Sequence, residues 1–118
     1  MKKLTWLADS RSTVKSFPAG VQDDMGYAPY AAQSGEMSAK AKPLHGFGGG
    51  VMEVAVNDES GTYRAVYTVS IGDSIYVVHA FQKKSKAGIE TPKFEMELVR
   101  QRLKQLRSEV KSVEKKKH

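Results

Sequence analysis

Cysteine does not occur in the 118 residues. Its absence excludes disulfides, thiolate metal ligands and cysteine nucleophiles. No apolar run approaches the ~20 residues that a membrane-crossing helix needs. The opening residues 1–12 carry two lysines, but their short apolar stretch is broken by Thr5 and ended by Asp9. They lack the apolar core of about 7–15 residues that marks a signal peptide. The expectation is a cytoplasmic protein with no membrane partner. The three histidines, His45, His79 and His118, are scattered and do not have the spacing of a zinc-binding helix. No metal or other cofactor is expected. A Gly-x-Ser-x-Gly elbow is also missing, and Asp23 and Asp24 read as helix-surface positions rather than a catalytic pair.

What is present is a basic, single-domain length of chain. The net charge of +6 is unevenly spread. Residues 1–60 hold six Lys or Arg and seven Asp or Glu, whereas residues 61–118 hold thirteen and six. Clustering of like charge is unfavourable within a folded chain, so a polyanionic partner is the natural inference. For the terminal Lys115–Lys117 run alone, a solvated tail is the simpler reading. We therefore expect one domain over residues 1–110 and a basic, frayed tail over 111–118.

The pattern predicts an α+β fold: two N-terminal helices packed on a small, mostly antiparallel four-stranded sheet, with a basic C-terminal helix. Leu4–Leu7, with Trp6, reads as a first strand. Asp9 and Ser10 can cap a helix starting at Arg11, and Ser16 and Pro18 suit the start of a second. Val21, Met25, Ala28 and Ala32 recur at helical spacing, Pro29 should kink this helix, and Gly35 is a natural stop. Residues 36–50 read as a glycine-rich loop. Three hairpin-linked strands follow, Val51–Val56, Thr62–Ser70 and Ser74–Phe81, with turns at residues 57–61 and at Gly72-Asp73. Thr91-Pro92 opens a last helix, where Met96, Val99, Leu103, Leu106 and Val110 form an apolar stripe beside a row of Arg100, Lys104, Arg107 and Lys111.

Several residue types suit a phosphate. Arg64 shares a strand face with Val66 and Thr68, opposite Tyr63, Ala65 and Tyr67. It can hold a phosphate bidentately or pair with Glu53 on the neighbouring strand, and the two readings are compatible. Lys83 and Lys84 leave the end of the last strand and can stabilise charge on a phosphate during cleavage, or be solvated. His45 lies in the glycine loop, where backbone can approach a ligand closely. Lys40, Lys42 and Lys86 are further cations suited to a phosphate backbone. Tyr67 is a candidate for base stacking, with core packing as its alternative. His79, between Val77 and Phe81, reads as a structural histidine.

Residues 16–36, 41–54, 62–69 and 75–103, in that order and spacing, resemble the RelE superfamily of toxins, in particular its HigB-like, phage-derived branch. The resemblance implies the toxin of a type II toxin–antitoxin pair. Such a toxin is a metal-independent endoribonuclease that cleaves ribosome-associated messenger RNA by 2′-hydroxyl attack on the adjacent phosphate. It implies catalytic roles for Arg64, Lys83, Lys84 and His45, and RNA contact by Lys40, Lys42, Lys86 and Tyr67. It also implies messenger RNA, the ribosome and a cognate helix-turn-helix antitoxin as partners, with any oligomer formed through the antitoxin. Val51, Glu53 and Ala55 stand where many relatives carry cations. This departure shifts that work to Lys40, Lys42 and His45, and keeps a second reading in view: a non-catalytic basic module that binds RNA, ribosome or a regulatory protein.

Overall fold

The computed structural model describes residues 1–83 and 93–116, with side chains as far as residue 112. Its elements run β1 (Lys3–Trp6), α1 (Ser10–Lys15), α2 (Ala19–Gln33), β2 (Ala41–Pro43), β3 (Val51–Asp58), β4 (Gly61–Thr68), β5 (Ser74–Lys83) and α3 (Lys93–Lys116). The three long strands are rich in β-branched and aromatic residues, which pack well on a pleated surface. They form an antiparallel meander, joined at the first hairpin by the pair Asp58 and Gly61.

The sheet has five strands rather than the expected four, in the order β1-β5-β4-β3-β2. The additional strand is β2, three residues inside the glycine-rich segment that pair antiparallel with Met52–Val54. Three residues are too few to show a period of two. At the other edge β1 runs parallel to β5, with Lys3 opposite Ser74 and Trp6 opposite Val77.

Helices cover both faces of the sheet. Against α1 and α2 lie Met52, Val54, Val56, Tyr63, Ala65, Tyr67, Ile75, Val77 and Ala80. Against α3 lie Val51, Val66 and Val78, packed on Val99, Leu103 and Leu106 of the expected apolar stripe. A register shift on β5 shapes the second face. Val66 pairs with His79 and Tyr67 with Val77, so Val78 is the extra residue of a bulge. Val78 and His79 consequently both serve the α3 side.

Helix boundaries follow local chemistry. Pro18 is the cap residue of α2 rather than part of its first turn, and the helix continues through the buried Pro29. It stops at Gly35 (φ +82), where the amides of Gly35 and Glu36 bond back to Ala32 and Ala31 at 3.0 Å. That is a Schellman closure, which favours glycine. Asp9 occupies the cap position of α1 without capping it through its side chain. The expected helix start at Thr91-Pro92 lies outside the described residues. Helical backbone in α3 extends to Lys116, past the point where the apolar stripe ends. Among the described residues no helix is long and apolar enough to cross a membrane.

Candidate functional site: a cationic sheet face

The α3 face of the sheet carries polar side chains among its aliphatics: Glu53, Arg64, Thr68 and His79. Arg64 is the central one. It stands opposite Ala55 on β3 and Phe81 on β5. Its Nη1 donates to Glu53 Oε1 at 2.9 Å. The carboxylate is 2% exposed and the guanidinium side chain 21%. A buried carboxylate must be paired, and this one fixes one edge of the planar fork. Among the described residues, Arg64 Nε is buried with no hydrogen-bond partner.

Two further cations share this neighbourhood through strand register. Lys83 stands opposite Thr62, two residues from Arg64 on the same face. A diagonal neighbour in an antiparallel pair lies about 7–8 Å away, within reach of a long side chain. Lys42 stands opposite Glu53 at the other flank and is exposed. Alternation along β2, β4 and β5 therefore sets Lys42, Arg64 and Lys83 in one band, with Glu53 holding the middle member. Lys84 and Lys86 lie outside the described residues.

The other expected residues fall elsewhere. Tyr67 is 1% exposed in the core beneath α2, and burial pushes its phenol pKa up. It offers no ring to a base, because alternation turns it to the sealed face of β4. Lys40 is ion-paired with Asp24 of α2 at 2.8 Å and so serves the helical side of the molecule. His45 is exposed but sits beyond β2, where Leu44 bonds to Val51. Val51 is opposite Thr68, four residues along β4 from Arg64. About 13 Å of strand thus separates the His45 end of the loop from Arg64 itself.

One cluster was not foreseen as a unit. Arg102 donates through Nη1 to His79 Nδ1 at 2.8 Å and to the Val78 carbonyl at 3.1 Å, and through Nη2 to Asp9 at 3.0 Å. His79 Nε2 faces Glu95 at 3.3 Å, and the ring stacks on Phe81 with centroids 5.6 Å apart. A guanidinium only donates, so Nδ1 accepts and the neutral ring carries its proton on Nε2. Burial, followed by the Arg102 charge, lowers the His79 pKa against the opposing pull of Glu95 and Asp9. The sequence holds one sign of this cluster. Glu95 and Arg102 are seven residues apart, so they share a helix face beside the apolar stripe.

Comparison with known proteins accords with this architecture. The family model for phage-derived protein Gp49-like (DUF891) matches residues 12–104. No curated protein matches the chain. Among solved structures, the isolated RelE toxin of E. coli is similar over 86% of this chain and 98% of that one, with a TM-score of 0.55 and 16% identity. That likeness is one of fold. The chain belongs to the phage-derived Gp49-like family, a RelE/HigB-type family within the RelE toxin superfamily.

Proposed function

We propose that this toxin is a metal-independent endoribonuclease acting in the cytoplasm on ribosome-associated messenger RNA, silenced by a cognate helix-turn-helix antitoxin. The observation that carries the reading is Arg64, held by the buried Glu53 in a band with Lys42 and Lys83. In the proposed reaction the ribose 2′-oxygen bonds to the adjacent phosphorus and the phosphorus–O5′ bond breaks. A 2′,3′-cyclic phosphate and a 5′-hydroxyl end result. Charge growing on the non-bridging oxygens falls to Arg64 and Lys83. A donor fixed before the reaction needs no reorganisation at that moment, which is what the Glu53 pairing supplies. Lys42 binds the chain alongside.

One observation favours a toxin that binds RNA without cutting it. Among the described residues no disengaged general base adjoins Arg64: Glu53 is tied to Arg64, and His79 faces Arg102 and Glu95. Induced expression without antitoxin, with mapping of messenger 5′ ends, decides between them. New 5′-hydroxyl ends inside coding regions support cleavage. Growth arrest without new ends leaves the binding reading.

A further inference from the structure

The Arg64 band occupies one end of the α3 face. The other end holds a separate basic feature. Arg107 Nη2 donates to the Phe47 carbonyl at 2.6 Å. The Arg100 guanidinium lies over the Phe47 ring, 4.7 Å from its centroid, and reaches the Gly46 carbonyl at 3.4 Å. These contacts seat the glycine loop, residues 44–50, on α3. Two adjoining grooves of about 680 and 350 Å³ run along this seam and share Gly48 and Arg107. Their lining includes Arg100, Lys104, Arg107 and Lys111 and, among the described residues, no carboxylate.

Three features of the seam point to a ligand. The four cations recur at intervals of four, three and four residues, so they share one face of α3 and repel one another. A polyanion in the groove relieves that repulsion. The glycine pattern is the second feature. Gly48 has φ +94, and a Cβ there would come within 2.6 Å of Arg107, so the fold itself demands glycine. Gly49 is different. Its φ lies outside the positive region, and a Cβ built on it meets nothing within 4 Å. Neither backbone strain nor packing requires glycine at this exposed position, and its lack of a side chain leaves the loop backbone open to close approach by a ligand. The third is reach. The loop enters β3 at Val51, four residues from the position opposite Arg64, so the groove begins about 13 Å from Arg64 along the same face.

We infer that this groove is a second phosphate-binding subsite, which holds the backbone of single-stranded RNA a few nucleotides from the phosphate at Arg64. Lys104 and Lys111 supply charge, Arg107 and Arg100 keep the loop in place, and Gly49 gives the strand close access. The inference takes its ligand class from the proposed RNA reading but does not depend on cleavage.

The test is fluorescence anisotropy of a labelled 2′-O-methyl oligoribonucleotide, which has no 2′-hydroxyl and cannot be cut, across a salt series with the full chain. Removing both Lys104 and Lys111 to alanine should weaken binding several-fold at moderate salt. It should also lower the slope of log K against log salt by about 0.7 per residue. A Lys15→Ala control on the α1 surface should leave both unchanged. Gly49→Leu should keep the parental thermal midpoint while weakening binding several-fold. Unchanged affinity and slope in both the lysine and Gly49 variants would overturn the subsite. Displacement of the probe by polyglutamate as effectively as by unlabelled RNA would overturn it too, in favour of an acidic protein ligand. If the parent binds as expected yet generates no new messenger ends, the nuclease reading fails and the subsite stands.

Discussion

The two faces of the sheet are built to different rules. Beneath α1 and α2, every inward strand residue from Met52 to Ala80 is apolar or a tyrosine, and none carries charge. Beneath α3, the same strands alternate to Glu53, Arg64, Thr68 and His79 among valines. Burying such groups is unfavourable unless they are paired, and the fold pairs most of them through Glu53–Arg64 and through Arg102, His79 and Glu95. The buried side-chain atoms without partners among the described residues, Arg64 Nε and Thr68 Oγ1, belong to strand residues of this same face. One face is a core. The other is an apolar layer of valines and leucines with paired polar groups and a positioned cation set into it.

The widest difference should appear when the same charge is placed on each face. Val77 and Val66 are 1% and 0% exposed. Val77→Asp sets a carboxylate in the apolar layer under α2 and should cost several kcal/mol, enough to abolish cooperative melting. Val66→Asp stands opposite His79, which can protonate beside it, and should lose less. Equal losses for the two variants would show that the α3 face is no more tolerant of charge than the core.

Next in size is the function of the polar face. Arg64→Ala should leave the fold intact and slow cleavage by about 10²–10³, the usual loss when one preorganised donor to a transition-state charge is removed. Arg64→Lys should restore little, because a point charge cannot use two edges as the planar fork does. A folded Arg64→Ala toxin that cuts at the parental rate would reduce the Arg64–Glu53 pair to a structural one. Glu53→Ala tests the other partner. It strands a half-buried guanidinium and should lower stability by about 1–3 kcal/mol. Urea unfolding would measure this, and a loss near zero would mean that water replaces Glu53 at no cost.

Much of this division was legible in the sequence. Strict alternation around Arg64 set its face and its companions, and Glu53 was visible as its partner from strand adjacency. The apolar stripe of α3 was equally plain, because Val99, Leu103 and Leu106 keep helical spacing. Other features depended on tertiary placement. Tyr67 looked available because tyrosine suits both a core and a binding surface, and only burial under α2 decides between them. Lys40 carries the same charge as Lys42, yet across sixteen residues it pairs with Asp24 of α2, which local sequence does not show. Strand β2 is too short to show a period. The bulge at Val78, which brings His79 to the α3 side, leaves no mark in local composition.

The smallest expected effect concerns that histidine. Burial lowers the His79 pKa below its ordinary 6.5, with Arg102 adding to the shift and Glu95 and Asp9 opposing it. The unfolded chain, whose histidine keeps the ordinary value, therefore binds a proton more readily than the folded one. Stability from this group is complete above pH 6.5 and declines as pH falls from there toward the lower folded value. The physical event is at Nδ1: a protonated ring must point a proton at the Arg102 guanidinium, and the link from β5 through Arg102 to Asp9 of α1 weakens. Urea midpoints at pH 7.5, 6.5 and 5.5 should fall for the parent. In His79→Gln, which cannot protonate, they should stay nearly level over the same range, so that the two proteins converge in acid. Asp and Glu elsewhere titrate mostly below this window and are common to both proteins. A parallel decline in parent and variant would assign the acid sensitivity to another group and leave His79 as a packing residue.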